Sequence, residues 1–239
     1  MSLLMHTGGD YVTLDDLRNV PPPEETETYK PVNHWDLSVN LQKVSQTILK
    51  DCELVNSQFG LARQGKQMFG VLSYRQGQND HVGLSIGFRN SYDKSMCVGI
   101  AIGASVFVCD NLAFTGEISV MRRHTANVWP DLEELIITTI YRSRSNFHKI
   151  EEASNQMRSA PLVDDDAFRW LGLLFGRAVL RPRQLPLVKK EWLTPSYEAF
   201  EERNLWSFYN ACTSALKSCT PNRIMEKHIE LHEIFANHE

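Results

Sequence analysis

Two long runs of period two sit between His81 and Thr125, and few folds can accommodate them. In the first, Val82, Leu84, Ile86 and Phe88 alternate with Gly83, Ser85 and Gly87. In the second, Val98, Ile100, Ile102, Ala104, Val106 and Val108 alternate with Cys97, Gly99, Ala101, Gly103 and Ser105. A helix would scatter such residues around its circumference, whereas a strand sends them to opposite faces. The polar join Arg89-Asn90-Ser91-Tyr92-Asp93-Lys94-Ser95 has turn chemistry, so the two runs read as an antiparallel hairpin. One face is branched aliphatic and belongs in a core. The other is nearly all Gly, Ala, Ser and Cys on both strands, which lets another segment approach the backbone closely.

The chain of 239 residues, 42% of them hydrophobic, can bury a sizeable core. No run is long enough for a membrane span, and the N-terminus has no signal-peptide pattern. Five cysteines (52, 97, 109, 212 and 219) include no CxxC pair, which fits a reducing compartment and a cytoplasmic protein. The formal net charge of −4 is unevenly spread. Residues 1–60 hold 4 Lys/Arg against 9 Asp/Glu, and residues 191–239 hold 4 against 8. Residues 61–190 hold 17 against 12, so the middle is basic and the ends acidic.

Taken in order, residues 1–33 read as an extended arm, with a short helix near Thr13–Leu17 halted by Pro21-Pro22-Pro23. Asn33 or Asp36 caps a helix to about Lys50, followed by two short strands in 52–75 around a Gly60–Gly65 turn, and then a turn at Gln76–Asp80. After the hairpin, Asp110–Gly116 breaks the alternation, and Glu117–Met121 is a further short strand. Trp129-Pro130-Asp131 opens a helix to about Arg158. Further helices are expected at Ala167–Leu180, Tyr197–Lys217 and Pro221–Ala236, with a proline-rich connector before Thr194. The fold class is α+β, with residues 34–239 one domain, sheet-rich over 52–125 and helical over 130–236.

No catalytic signature stands out. His228 and His232 share a helix face at i, i+4, but Ile229 stands where the zinc-protease pattern needs Glu, and no third ligand is evident. Asp164–Asp166 reads as helix capping rather than a cation site. No catalytic residue, metal ligand or cofactor is therefore assigned. Two polar stretches flanked by core pattern remain. One is the hairpin tip with Arg89, Asn90, Ser91 and Lys94; the other is Arg122, Arg123 and His124 with Arg142, Arg144 and Lys149 beyond. Arginines interspersed with Asn and Ser can track a phosphate backbone, although a solvated tip and an ordinary charged helix face explain the same residues.

Four stretches carry a family resemblance: Thr26–Val32, Gly87–Ser95 with its Arg-Asn-Ser, Val108–Gly116 with Cys-Asp-Asn-Leu-Ala-Phe, and Leu205–Thr213 with Tyr-Asn-Ala. They resemble the phage/plasmid-like protein family, a bacterial and prophage domain of unknown function numbered 932, over about residues 8 to 235. The resemblance implies a context of mobile elements and DNA, without an activity. The order of sheet then long helix is also similar to phage single-strand annealing proteins of the RecT and Red-beta type, at the level of fold order alone. The expected function is single-strand binding or annealing of DNA, by a homo-oligomer. Its interface would be Arg89, Asn90, Ser91, Lys94, Asn111, Arg122, Arg123, His124, Arg142 and Arg144, with Tyr92 or Phe114 stacking on bases. Two other readings compete. One is an enzyme acting on nucleic acid or nucleotides through Asp110, Asn111, Glu117 and His124; the other is a host-interaction protein using the acidic arm.

Overall fold

The computed structural model describes residues 9–76, 82–106 and 111–236, and it is α+β. Six strands form one antiparallel sheet in sequence order: β1 (Asp10–Val12), β2 (Cys52–Ala62), β3 (Gln67–Gln76), β4 (Val82–Ser91), β5 (Val98–Val106) and β6 (Asn111–Arg122). The N-terminal segment adds β1 to the edge of β2 and then α1 (Leu14–Arg18), where Thr13 and Asp16 form a reciprocal capping box. Leu17, Tyr29 and Val32 are buried, so this segment contributes to the core. Asn33 caps α2 (His34–Ile48) by accepting from the Trp35 and Asp36 backbone N–H groups.

Register assigns each side chain to a face. Phe88 pairs with Ile100, Ile86 with Ile102 and Leu84 with Ala104, and across β3 these rows continue through Gly70, Leu72 and Tyr74. This aliphatic face lies under α2 and α3 (Val128–Ser159), whose Leu37, Leu41, Leu132, Ile136 and Ile140 are fully buried. Tyr74 reaches up to the Ser45 hydroxyl of α2 at 2.5 Å. Gly70 is required here, because a Cβ at that position would land in the Phe88 ring.

The small-residue face is buried too. Ser85 and Ala101 are fully enclosed, and α7 (Pro221–Ala236) packs along β6 on this side with its Glu226 reaching Arg89 on β4. At Gly99 a side chain would press on Met121 Sδ (2.9 Å) and on Arg89 (3.1 Å), so the glycine gives Arg89 its path across the sheet.

The helical half holds α4 (Asp164–Gly176), α5 (Leu185–Leu193), α6 (Leu205–Leu216) and α7. α6 is buried on nearly every side: Phe208 meets Trp192 of α5, Tyr209 meets Phe235 of α7, and Cys212 is fully buried.

Several boundaries differ from the sequence expectation. Ser91 still belongs to β4, so Arg89, Asn90 and Ser91 are strand residues rather than a turn. Residues 111–116 belong to β6, with 111–114 paired to β5 and a register irregularity opposite Ala101–Gly103. The proline-rich connector contains α5, because Pro186 falls in its first turn where no N–H is needed. The segment before α6 is a short 3-10 turn at Glu198–Phe200, and α6 begins only at Leu205, capped by Asn204. Asp164–Asp166 occupy the first turn of α4 without capping it. They suit the helix dipole instead, and Asp164 accepts from Trp192 Nε1 at 2.9 Å. The expected Gln76–Asp80 turn lies, but for Gln76, outside the described residues, as do Val108, Cys109 and Asp110.

Candidate functional site

At the end of the sheet where β4 turns into β5, Asn90 is fully buried and joins four segments. Its Nδ2 donates to the Val32 carbonyl (2.5 Å) and to His34 Nδ1 (2.9 Å). Its Oδ1 meets His124 Nε2 at 2.8 Å and accepts from the Ser91 N–H at 2.9 Å. These contacts fix the proton positions. His34 Nε2 faces the Gly65 carbonyl at 3.1 Å and must donate to it, which leaves Nδ1 as the acceptor that Asn90 requires. His124 must in turn carry its proton on Nε2.

Both imidazoles are held neutral. Burial pushes His34 down from 6.5 to about 4; the Gly65 bond opposes the fall and His124 adds to it. Burial also lowers His124. His34 stacks on Tyr92, ring centres 3.7 Å apart, and the Tyr92 hydroxyl, pushed by burial up to about 12, accepts the His34 backbone N–H at 3.0 Å.

Arg89 is 95% buried and makes a bidentate pair with Glu226, at 3.0 Å and 2.6 Å. Register sends Arg89 to the small-residue face beside Gly99, whereas Arg122, opposite Val98, belongs to the aliphatic face. The two arginines therefore do not converge. The Ser91 hydroxyl closes the β4–β5 turn, donating to the Met96 carbonyl at 2.9 Å and accepting its N–H at 3.1 Å. Arg89, Asn90, Ser91 and His124 are thus spent within the fold.

The cations that remain outside gather around this buried cluster. The β2–β3 turn carries Arg63 and Lys66, and it is tied to the β4–β5 turn by the Tyr92 N–H to Lys66 carbonyl bond (2.7 Å) and by Arg63–Asp93 at 3.7 Å. Lys94 lies over the Tyr29 ring at 4.5 Å, and Tyr29 lies 5.5 Å from the His124 ring. Lys30 donates its backbone N–H to the His124 carbonyl, with Arg123 adjacent, while its ammonium pairs with Glu25. Lys66, Lys94 and Arg123 are exposed and, among the described residues, have no ion-pair partner. Arg63, Gln64 and Lys94 all hold positive φ, 53°, 58° and 60°, a conformation side chains rarely adopt.

Both α2 and α3 begin at this end. Between them runs an open groove of about 480 Å³ lined by Trp35, Val39, Lys43 and Val44 on one wall and Trp129 and Glu133 on the other, with Asp36 and Asn40. Arg18 lies 4.5 Å from the Trp35 ring. Nothing in the spacing of Trp35 and Trp129 announced this pairing. Tyr92, one of the two aromatics expected to stack on bases, is buried against His34.

Arg142 is exposed but lies ~20 Å along α3 from its start, given a rise of 1.5 Å per residue. The Asn111, Phe114, Glu117 and Arg144 side chains and all of Asp110 lie outside the described residues. Among the described residues, no group of three His, Cys, Asp or Glu is placed to hold a metal ion, and His228 and His232 are both buried, His232 against Tyr209 of α6. Among them too, no helix is long and apolar enough to cross a membrane.

The fold is thus an antiparallel sheet backed by α2 and α3 on one face and by α7 on the other. Residues 26–231 match the family described as Domain of unknown function (DUF932), and the chain belongs to it. Neither a curated protein nor a solved structure matches.

Proposed function

We propose that this protein binds single-stranded nucleic acid, without turning it over, at the loop end of its sheet and in the adjoining α2–α3 groove. The observation that carries this reading is the juxtaposition of three exposed cations, Lys66, Lys94 and Arg123, without an ion-pair partner among the described residues, with a groove holding two indoles. Ammonium and guanidinium groups on loops meet phosphates with little geometric demand, and indole faces stack on bases of any sequence. A groove of about 480 Å³ has the volume of a small-ligand site and suits an unstacked base; a paired base in a duplex does not present its face. The N-termini of α2 and α3 add their positive dipole ends on the same side. The buried His34–Asn90–His124 cluster holds the cation-bearing loops in place. The reading fits the mobile-element context that the family resemblance implies.

Filter-binding titrations against single- and double-stranded oligonucleotides at two salt concentrations test it. Single strands should bind more tightly, with affinity falling steeply as salt rises. Absence of binding at low salt removes the function. Turnover of the oligonucleotide with magnesium or manganese would favour an enzyme instead.

A further inference from the structure

A second surface lies far from the loop end in character and stands independently of the nucleic-acid reading. On α4, Phe168 and Phe175 are 38% and 46% exposed, an unusual outlay of aromatic surface on one short helix. The helix also has charge polarity. Asp164, Asp165 and Asp166 form its first turn, while Arg177, Arg181 and Arg183 follow its last. Asp165, Arg177 and Arg181 are exposed. Gly172 lies between the aromatics and Gly176 directly after Phe175, and at both a Cβ would meet nothing within 4 Å. Glycine is a poor helix residue, and nothing inside this chain requires it at either position.

The spacing fits one partner. Phe168, Gly172 and Gly176 fall at i, i+4 and i+8, a single ridge centred on Gly172. If a second copy of α4 docks antiparallel about a two-fold axis at Gly172, each Phe168 ring lies over the other copy's Gly176. The same arrangement sets the acidic start of each helix against the basic exit of the other and opposes the two helix dipoles. A parallel arrangement would place like charges together. We propose that α4 is the surface through which two copies of this chain associate, antiparallel and isologous.

Sedimentation velocity of the full chain over a hundredfold concentration range, with thermal melts in parallel, tests this. The wild type should pass from monomer to dimer. Gly172→Leu should weaken association at least tenfold while melting no lower than the wild type, because the monomer has room for the side chain. Asp165→Arg and Arg177→Asp should each weaken the dimer, and the double variant should recover it. A wild type that stays monomeric throughout overturns the proposal. So does a dimer indifferent to Gly172→Leu, a variant that melts markedly lower, or a double variant no better than either single one.

Discussion

Removing Glu226 should damage the fold more than removing Arg89, although both belong to one ion pair. The Arg89 side chain is 6% exposed and that of Glu226 is 41% exposed. Glu226→Ala leaves a guanidinium enclosed between Met121, Gly99 and α7 without its carboxylate. Breaking a buried charge pair from one side costs about 3–5 kcal/mol, and the low end, about 3 kcal/mol, applies because water reaches the vacated position and Arg89 keeps its other contacts. Arg89→Met removes the charge that needed compensation, keeps most of the volume over Gly99, and leaves Glu226 to solvent. Its cost should be about 1 kcal/mol, in the range of a lost hydrogen-bonded contact. Combined with Arg89→Met, Glu226→Ala should add little, because its harm came from taking the carboxylate away from the arginine. Urea unfolding midpoints of the two single variants and the double variant, at unchanged m-value, measure the three costs. Equal costs for the two single changes, or a Glu226→Ala variant within about 0.5 kcal/mol of wild type, would refute the view that Arg89 is a buried charge held by α7.

Acid should weaken the protein through His34. The native imidazole titrates at about 4 against 6.5 for the free group, so below 6.5 the unfolded chain takes up a proton that the native state refuses. Stability from this residue is complete above pH 6.5 and is lost as pH falls towards 4. The loss is about 3 kcal/mol at 1.36 kcal/mol per pH unit, and His34→Gln should flatten that part of a stability–pH curve. Asn90→Ala should cost about 3 kcal/mol in chemical denaturation, because the Val32 carbonyl and two imidazole nitrogens lose their partner inside the fold. Gly70→Ala should lower the thermal midpoint by displacing Phe88, at a cost of about 1–3 kcal/mol.

The hairpin and its two faces were legible in the sequence because a half-buried strand imposes strict alternation, and α2, α3 and α7 because the Asn33 cap, the prolines at 130 and 221 and apolar spacing mark their limits. β6 was harder to read. It opens on the turn-forming Asn111, and pairing of residues 111–114 with β5 rather than pattern holds them in the sheet. α5 was obscured by Pro182 and Pro186, which look like breakers until their place at a helix start is seen. The site was legible only in part. The sequence marks Arg89–Lys94 and Arg122–His124 as polar stretches within core pattern, and the chain does bring their neighbourhoods together. It cannot show that Asn90 is shared by His34 and His124, 56 and 34 residues away, or that Arg89 is neutralised from 137 residues downstream. Those separations carry no periodic signal. The same holds for the groove, whose indoles come from two helices separated in the chain by β2 to β6.

The salt dependence of single-strand affinity, compared between the wild type and a Lys66→Ala/Lys94→Ala/Arg123→Ala variant, is the most direct test of the nucleic-acid reading. Each phosphate contact on a single strand contributes roughly 0.7 to the slope of log affinity against log salt, so removing three should flatten it by about 2. The variant's melting temperature should stay near that of the wild type, since all three side chains are exposed. A wild type that does not bind, or a variant that binds with an unchanged slope, would contradict the assignment of the loop end as the phosphate-tracking surface.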